Sequence, residues 1–346
     1  MSTKAGDVEL RIPKLRRGSF FPAVLERRRR IDRALFAVVM EAYVHGVSTR
    51  KVDDLVAALG LEAGISKSEV SRICSELDEP LEAFRTRPLG HVEFPYVFCD
   101  ATYVKARTGG RVVSKAIVVG TGVTRVGDRE VLGCAVGDSE DGPFWLAFLR
   151  SLRARGLTGV QLVISDAHQG LVSAIEAVMI GAAWQRCRVH FMRNVLAKVP
   201  KASAEMVAAA IRTIFSQPNA SHVHAPFDEI AAMLAAKFPG VADMLTDARA
   251  DLLAFTAFPV SHWKKIWSTN PLERLNKEIK RRTNVVGIFP NEDSVVRLAT
   301  AVIAEAHDEW AVTDRRYLAE GSMAKLYQTD SPPALLDETT PAKIAS

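Results

Sequence analysis

The chain has 346 residues, room for about two globular domains at roughly 150 residues each, and 48% of them are hydrophobic against 25% charged. That balance excludes a disordered or low-complexity chain, which has too little apolar side chain to bury a core. The formal net charge is +5, and residues 1–33 hold ten Lys and Arg against Asp7, Glu9, Glu26 and Asp32, which suits a polyanionic partner as well as a solvated basic arm.

Cys74, Cys99, Cys134 and Cys187 are scattered without a paired CxxC spacing, so neither a disulfide framework nor a zinc ribbon is indicated, and a reducing cytosol is the expected setting. The N-terminus is polar, and no apolar run reaches the ~18 residues that a membrane span needs. The expectation is a cytoplasmic protein with no membrane partner.

Residues 1–32 read as a basic arm carrying Pro13, Gly18, Pro22 and the run Arg27 to Arg30. Residues 33–86 read as helical. From Ser48, the residues Val52, Leu55, Val56 and Leu59 recur at helical spacing up to Gly60. After a tight turn, Ser66 and Glu69 form a capping box ahead of the apolar stripe Val70, Ile73, Cys74 and Leu77. This is a helix-turn-helix pattern, and Lys67, Ser68, Ser71 and Arg72 face outward on its second helix, where they could contact DNA. An ordinary helical hairpin is the competing reading. Pro80 and residues 85–90 read as a linker.

Over residues 87–190 the apolar period shifts from 3.6 to 2. Tyr96 to Lys105, Val112 to Thr121 and Glu130 to Val136 read as three consecutive strands. A helix follows over Pro143 to Arg155, then a strand over Val160 to Ser165, a helix near Leu171 to Met179 and a strand around Trp184 to Cys187. Three meandering strands followed by helix, strand, helix, strand make a mixed α/β layer in ribonuclease-H-like order. Residues 191–265 turn Ala- and Leu-rich at helical spacing and read as an all-α insertion, with 266–346 returning to the catalytic core. His222 and His224, in a polar loop, read as surface residues. Trp263 and Trp267 suit base stacking or core packing equally.

Asp100 ends the apolar run Tyr96 to Cys99, and Asp166 ends another, Val163 to Ser165. A carboxylate at the mouth of a sheet is costly to desolvate unless it is paired or ligates a cation, and Mg²⁺ is a hard ion suited to one or two carboxylates plus a phosphate. Either Asp alone could equally cap a turn. The third acid comes from the helical segment Asn270 to Arg282, whose buried stripe is Leu272, Leu275 and Ile279. Glu273 and Glu278 are five residues apart, about 140° around the helix, so they cannot both face one ion. Glu273 is preferred because Asn276, Lys277 and Lys280 share its side and would put phosphate-binding groups beside the ion, with Arg274, Arg281 and Arg282 adding to a basic DNA-contacting helix. A solvated face of i, i+4 salt bridges is the alternative for this helix.

At these residues the chain resembles the Mutator-like family of bacterial insertion-sequence transposases. The resemblance is carried by Tyr96 to Arg107 (YVFCDATYVKAR), Leu162 to Leu171 (LVISDAHQGL), Gln185 to Asn194 (QRCRVHFMRN), Asn270 to Asn291 (NPLERLNKEIKRRTNVVGIFPN) and His307 to Trp310 (HDEW), and with Val8 to Phe21 and the helix-turn-helix it spans nearly the whole chain. It implies a DDE transposase with the acidic triad Asp100, Asp166 and Glu273. These would hold two Mg²⁺ ions, with Mn²⁺ as a substitute, in a ribonuclease-H-like domain interrupted by a helical insertion. The family's Cys-x-x-His signature falls on Cys187 and His190, for which active-site positioning is expected rather than structural zinc. The implied partners are double-stranded DNA, as terminal inverted repeats and as target, and further copies of the chain in a homodimer or larger assembly near the nucleoid. Family members carry more sequence before Val8 to Pro13, so the N-terminus is expected to be shortened. Two other classes compete: a helix-turn-helix regulator without catalysis, and a nuclease or resolvase that cuts without joining.

Overall fold

The computed structural model describes residues 2–3, 6–7, 74–313 and 316–328. The chain divides into two compact units, Met1–Leu77 and Asp78–Ser346. In the first, Ser2–Thr3 pairs antiparallel with Gly6–Asp7. The expected helix-turn-helix, with Lys67, Ser68, Ser71 and Arg72, lies outside the described residues.

The second unit opens with a helix where the sequence suggested a linker. Helix α1 spans Asp78–Thr86. Pro80 sits in its first turn, where the missing N–H would have had no intrahelical acceptor, so the proline does not prevent the helix. Asp78 fixes it by a two-pronged ion pair, both contacts 2.6 Å, to Arg297 of a helix near the end of the unit.

The sheet follows. Strand β1 (Tyr96–Thr108) pairs antiparallel along its length with β2 (Arg111–Val123), and β2 pairs antiparallel with β3 (Arg129–Gly137). Gly109 and Gly110 join β1 to β2 with φ of 57° and 80°, the two successive positive values that a two-residue turn of right-twisting strands requires. Strand β4 (Leu162–Ser165) lies parallel to β1, and β5 (Ala183–Arg186) parallel to β4. The strand order is β3-β2-β1-β4-β5.

Helices α2 (Gly142–Ala154) and α3 (Gln169–Val178) make the crossovers and cover one face. Asp141 caps α2 by accepting from the Phe144 N–H. The strands alternate, so Val97, Cys99, Val118, Leu132 and Val163 meet Trp145, Phe148, Leu149, Leu152, Leu171 and Ile175 in one fully or almost fully buried cluster. Each such large apolar side chain contributes roughly 1.5–3 kcal/mol on burial. Gly170 is required here, because a Cβ on it would lie 2.6 Å from the backbone N of Gly142 and force α2 and α3 apart.

The alternate residues of β1, including Phe98 and Asp100, face the other side, where α10 (Asn270–Val286) and α11 (Glu292–Ala311) pack on the sheet. Gly287, at φ 74°, ends α10, and a two-residue strand the sequence did not suggest, β6 (Ile288–Phe289), pairs with β1 at Lys105 and Ala106.

Between β5 and α10 the described elements are all helical: α4 (Arg188–Ala197), α5 (Ala204–Ile214), α6 (His224–Ala235), α7 (Pro239–Asp247), α8 (Arg249–Leu253) and α9 (Trp263–Ile266). Gln185 ties this block to the sheet: fully buried, it donates to the Leu252 carbonyl at 3.0 Å and accepts from the Phe255 N–H at 2.7 Å. Trp263 and Trp267 are buried against Phe255, and Trp267 also against Phe215, so they form core. His222 is exposed and bonded to Asn219. Among the described residues no helix is long and apolar enough to cross a membrane.

Candidate active site

Strands β4 and β5 end side by side, next to the first half of β1. In the parallel register Phe98 lies opposite Ile164, and two positions on are Asp100 and Asp166. Likewise Ser165 lies opposite Arg186, and one position on are Asp166 and Cys187. Strands are about 4.8 Å apart, so the register itself brings Asp166 and Cys187, at the carboxyl ends of β4 and β5, alongside Asp100 within the longer β1. This is the edge where open α/β sheets collect their ligands.

Asp100 is held on two sides. Its Oδ1 accepts from the Ala101 N–H at 2.9 Å, and its Oδ2 accepts from Asn276 Nδ2 of α10 at 2.9 Å. Burial pushes the Asp100 carboxyl up to about 6, and Asp166 pushes the same way, while His190, the Ala101 N–H and Asn276 pull it down. Asp166, half-buried, accepts from the His168 N–H at 3.3 Å.

Cys187 is the residue ahead of α4 and is fully buried. Its Sγ accepts from the N–H and the hydroxyl of Thr269 at 3.3 and 3.4 Å, joining the end of β5 to the residue that starts α10. Burial raises the thiol, but His190 and Thr269 outweigh it and hold it below its ordinary value. The Cys187 partner raises His190 to about 9 against the opposing effect of burial, with Asp100 and Asp166 adding to the rise. Nδ1 of His190 is buried without a hydrogen-bond partner. The pair therefore sets an imidazolium beside two carboxylates, next to a thiol that ionises more readily than usual.

Glu273 lies half-buried on α10, one turn before Asn276. Among the described residues no group of three or more His, Cys, Asp or Glu side chains is gathered closely enough to hold one ion. Glu278 is committed elsewhere, bonded to Arg281 and Arg282. Arg282 is buried and also reaches Glu305 at 2.6 Å, so it joins α10 to α11, where the sequence suggested a DNA contact. Asn276 likewise bonds Asp100 where the sequence suggested a phosphate contact. Arg274, Lys277 and Lys280 are exposed, as is the Glu278-paired Arg281.

Sequence reasoning gave Glu140 no part in the site. It is half-buried just before α2; burial raises its carboxyl, Tyr103 lowers it, and Asp166 raises it further. Its signal was a third acid after the meander, masked by its place in the helix-opening run Asp138 to Asp141.

The site holds polar atoms that nothing in the fold satisfies. Oδ1 of Asn276, beside Asp100, is buried without a hydrogen-bond partner, as is Nδ1 of His168. Together with two adjoining carboxylates, an orphaned amide oxygen is an oxygen-rich donor set of the kind that a hydrated hard cation satisfies.

A family model described as "Transposase, Mutator family" matches residues 1–313, a span that includes every one of these groups. The chain belongs to the Mutator family of transposases. The transposase for insertion sequence element IS1081 of Mycobacterium tuberculosis is 50% identical over 345 residues, covering 98% of this chain and 83% of that protein. The transposase for IS406 of Burkholderia multivorans is 41% identical, covering 91% of this chain and 81% of that one. The transposase for IS256 in transposon Tn4001 of Staphylococcus aureus is 38% identical, covering 92% and 81%. Among solved structures, a simian T-cell lymphotropic virus intasome in complex with a PP2A regulatory subunit aligns over 44% of this chain and 62% of that one, at 16% identity and a TM-score of 0.20, too shallow an overlap to bear on the fold.

Proposed function

We propose that this member of the family is a DDE transposase that cuts and rejoins DNA phosphodiesters at the ends of an insertion sequence, using Asp100, Asp166 and Glu273 in a ribonuclease-H-like domain. The observation that carries the reading is the register that sets Asp166, just past the end of β4, beside Asp100 within β1. The strand order, with β1 to β3 antiparallel and β4 and β5 parallel to β1, supports the ribonuclease-H-like assignment.

Asp100 and Asp166 are the residues that would hold Mg²⁺ or Mn²⁺, and Glu273, one turn from Asn276 on the helix that reaches Asp100, is the third acid in this reading. When bound, such ions activate a water or a DNA 3′-hydroxyl and neutralise the leaving oxygen in an in-line displacement. The protein's part is positioning. Asn276 fixes the Asp100 carboxylate through Oδ2. Cys187 anchors Thr269 and hence the start of the glutamate helix. The His190 imidazolium puts positive charge beside two carboxylates, limiting their mutual repulsion while a phosphate is docked. Arg274, Lys277 and Lys280 are exposed cations of that helix with no ion pair among the described residues and would meet the DNA backbone, each as a salt-sensitive contact.

The test is metal-dependent cleavage and strand transfer on duplex DNA carrying the element's terminal repeats, with a pre-cleaved end as a second substrate. Cleavage and joining that both require Mg²⁺ support the proposal. Cleavage without joining points to a nuclease, and DNA binding without cleavage in either metal points to a regulator.

A further inference from the structure

On α10, away from the acidic site, a groove of about 1240 Å³ runs toward α11, and its lining includes Arg129, Lys265, Arg274, Lys277, Trp310 and Tyr317 but none of Asp100, Asp166 or Glu273. Ligand pockets for small molecules are usually about 300–1,000 Å³, so this space suits a longer ligand.

Its charges differ in what they meet. The acids are spent within the fold: Glu278 on Arg281 and Arg282, Glu305 on Arg282, and both Asp128 and Glu320 on Arg316. Arg129, Lys265, Arg274 and Lys277 form no ion pair among the described residues, and Glu309, exposed, pairs with none of them. Arg129 is the informative one. Its guanidinium lies 3.6 Å from the Trp310 ring centroid and 5.5 Å from that of Tyr317, and Lys265 Nζ is 4.8 Å from the same Tyr317 ring. The Tyr317 hydroxyl donates to the Lys265 carbonyl at 3.0 Å, which fixes the ring between the two cations. Burial works against the Arg129 charge, and Arg274 stands near enough to add repulsion.

A half-buried guanidinium close to two aromatic rings, with no ion pair among the described residues, carries a desolvation cost that no carboxylate answers. A phosphate answers it, because its oxygens accept two parallel N–H bonds from an arginine and can bridge two cations. The aromatic rings contribute by holding Arg129 in one orientation, so little side-chain freedom is given up on binding.

We propose that this groove binds DNA backbone outside the cleavage site, with Arg129 and Arg274 sharing one phosphate and Lys265 and Lys277 flanking it. The inference rests on the proposed function for the nature of the polymer and adds to it a second, non-catalytic binding track with Arg129 and Lys265 as new members.

The experiment is the salt dependence of binding to a labelled terminal-repeat duplex, read by fluorescence anisotropy from low to moderate salt. Removing one phosphate-neutralising cation should make the slope of log K against log salt shallower by about 0.9. Accordingly R129Q and K265Q are each expected to lower the slope by about 0.9 and the double variant R129Q/K265Q by about 1.8. Arg129 packs on Trp310, so R129Q is checked by its thermal melt; Lys265 is exposed, and K265Q carries the test if R129Q is unstable. Slopes equal to wild type in folded groove variants, with wild-type cleavage intact, overturn the groove and leave the transposase reading standing. A wild-type protein that binds no DNA overturns both.

Discussion

Asn276 of α10 donates from Nδ2 to the Asp100 carboxylate at 2.9 Å, although the two residues are 176 positions apart. This bond carries the orientation of the acidic site from the helix to the sheet. Hydrogen-bonding partners of metal-ligating carboxylates typically contribute 10–100-fold in metal affinity or activity. N276A is therefore expected to lower Mg²⁺-dependent cleavage by about that factor while leaving the melting temperature within a few degrees of wild type. N276D should do more harm, because it sets a second carboxylate against one that burial already disfavours as an anion. A Mg²⁺ titration of cleavage that is unchanged in both variants would sink the role given to Asn276.

Asp166 gives the most direct test of the chemistry. D166N keeps the shape and the His168 contact but loses a negative charge, so cleavage should fall to background while binding to the terminal-repeat duplex persists. Chelation of divalent ions should have the same effect on the wild-type protein. Undiminished cleavage by D166N would remove Asp166 from the mechanism.

Much of this arrangement is legible in the residues alone. The near-continuous apolar, β-branched runs mark the strands, because helices cover both faces of the sheet. Asp100 and Asp166 are visible as the polar residues that stop two of those runs. What the linear pattern hides are long-range effects. Asn276 and Arg282 look like members of a basic face, yet one turns inward to Asp100 and the other to Glu278 and Glu305, because packing on β1 and α11 decides which side of α10 is buried. The two-residue strand at Ile288 is too short to leave a period at all, and helix α1 is obscured by a proline that its first turn tolerates. The groove around Arg129 combines β3, α10, α11 and the stretch after α11, so no local motif announces it.

Cys187 and His190 should titrate as a unit. The folded-state pKa of His190 lies near 9, above its ordinary value, chiefly through Cys187. In C187A that support is gone, and His190 should fall toward the ordinary histidine range of about 6.5, seen by NMR of its ring protons in metal-free protein. Because the folded-state value is the higher one, whatever stability it contributes is fully present below about 6.5 and disappears as pH rises through about 9. C187A should therefore lose its stability deficit in alkaline solution. A His190 that still titrates near 9 without the thiol would mean that the aspartates, not Cys187, hold its charge.

The Glu278 bridge makes the opposite prediction with pH. Bonding to Arg281, opposed by burial and reinforced by Arg282, holds the Glu278 carboxyl at about 2 against an ordinary 4.5. A depressed carboxylate stabilises the fold above its unfolded value, and that contribution drains away as pH falls from about 4.5 toward about 2. Glu278 is 35% exposed, so solvent screening limits the effect, and E278Q should cost only about 1 kcal/mol at neutral pH. The difference between wild type and E278Q in urea unfolding should narrow below pH 4.5. Arg282, at 6% exposure, has more at stake, since it also reaches Glu305. E278Q/E305Q takes both carboxylates from a buried guanidinium and should cost about 3 kcal/mol, more than the sum of two surface pairs. If the double variant is no less stable than either single one, Arg282 does not join α10 to α11 in the way its contacts imply.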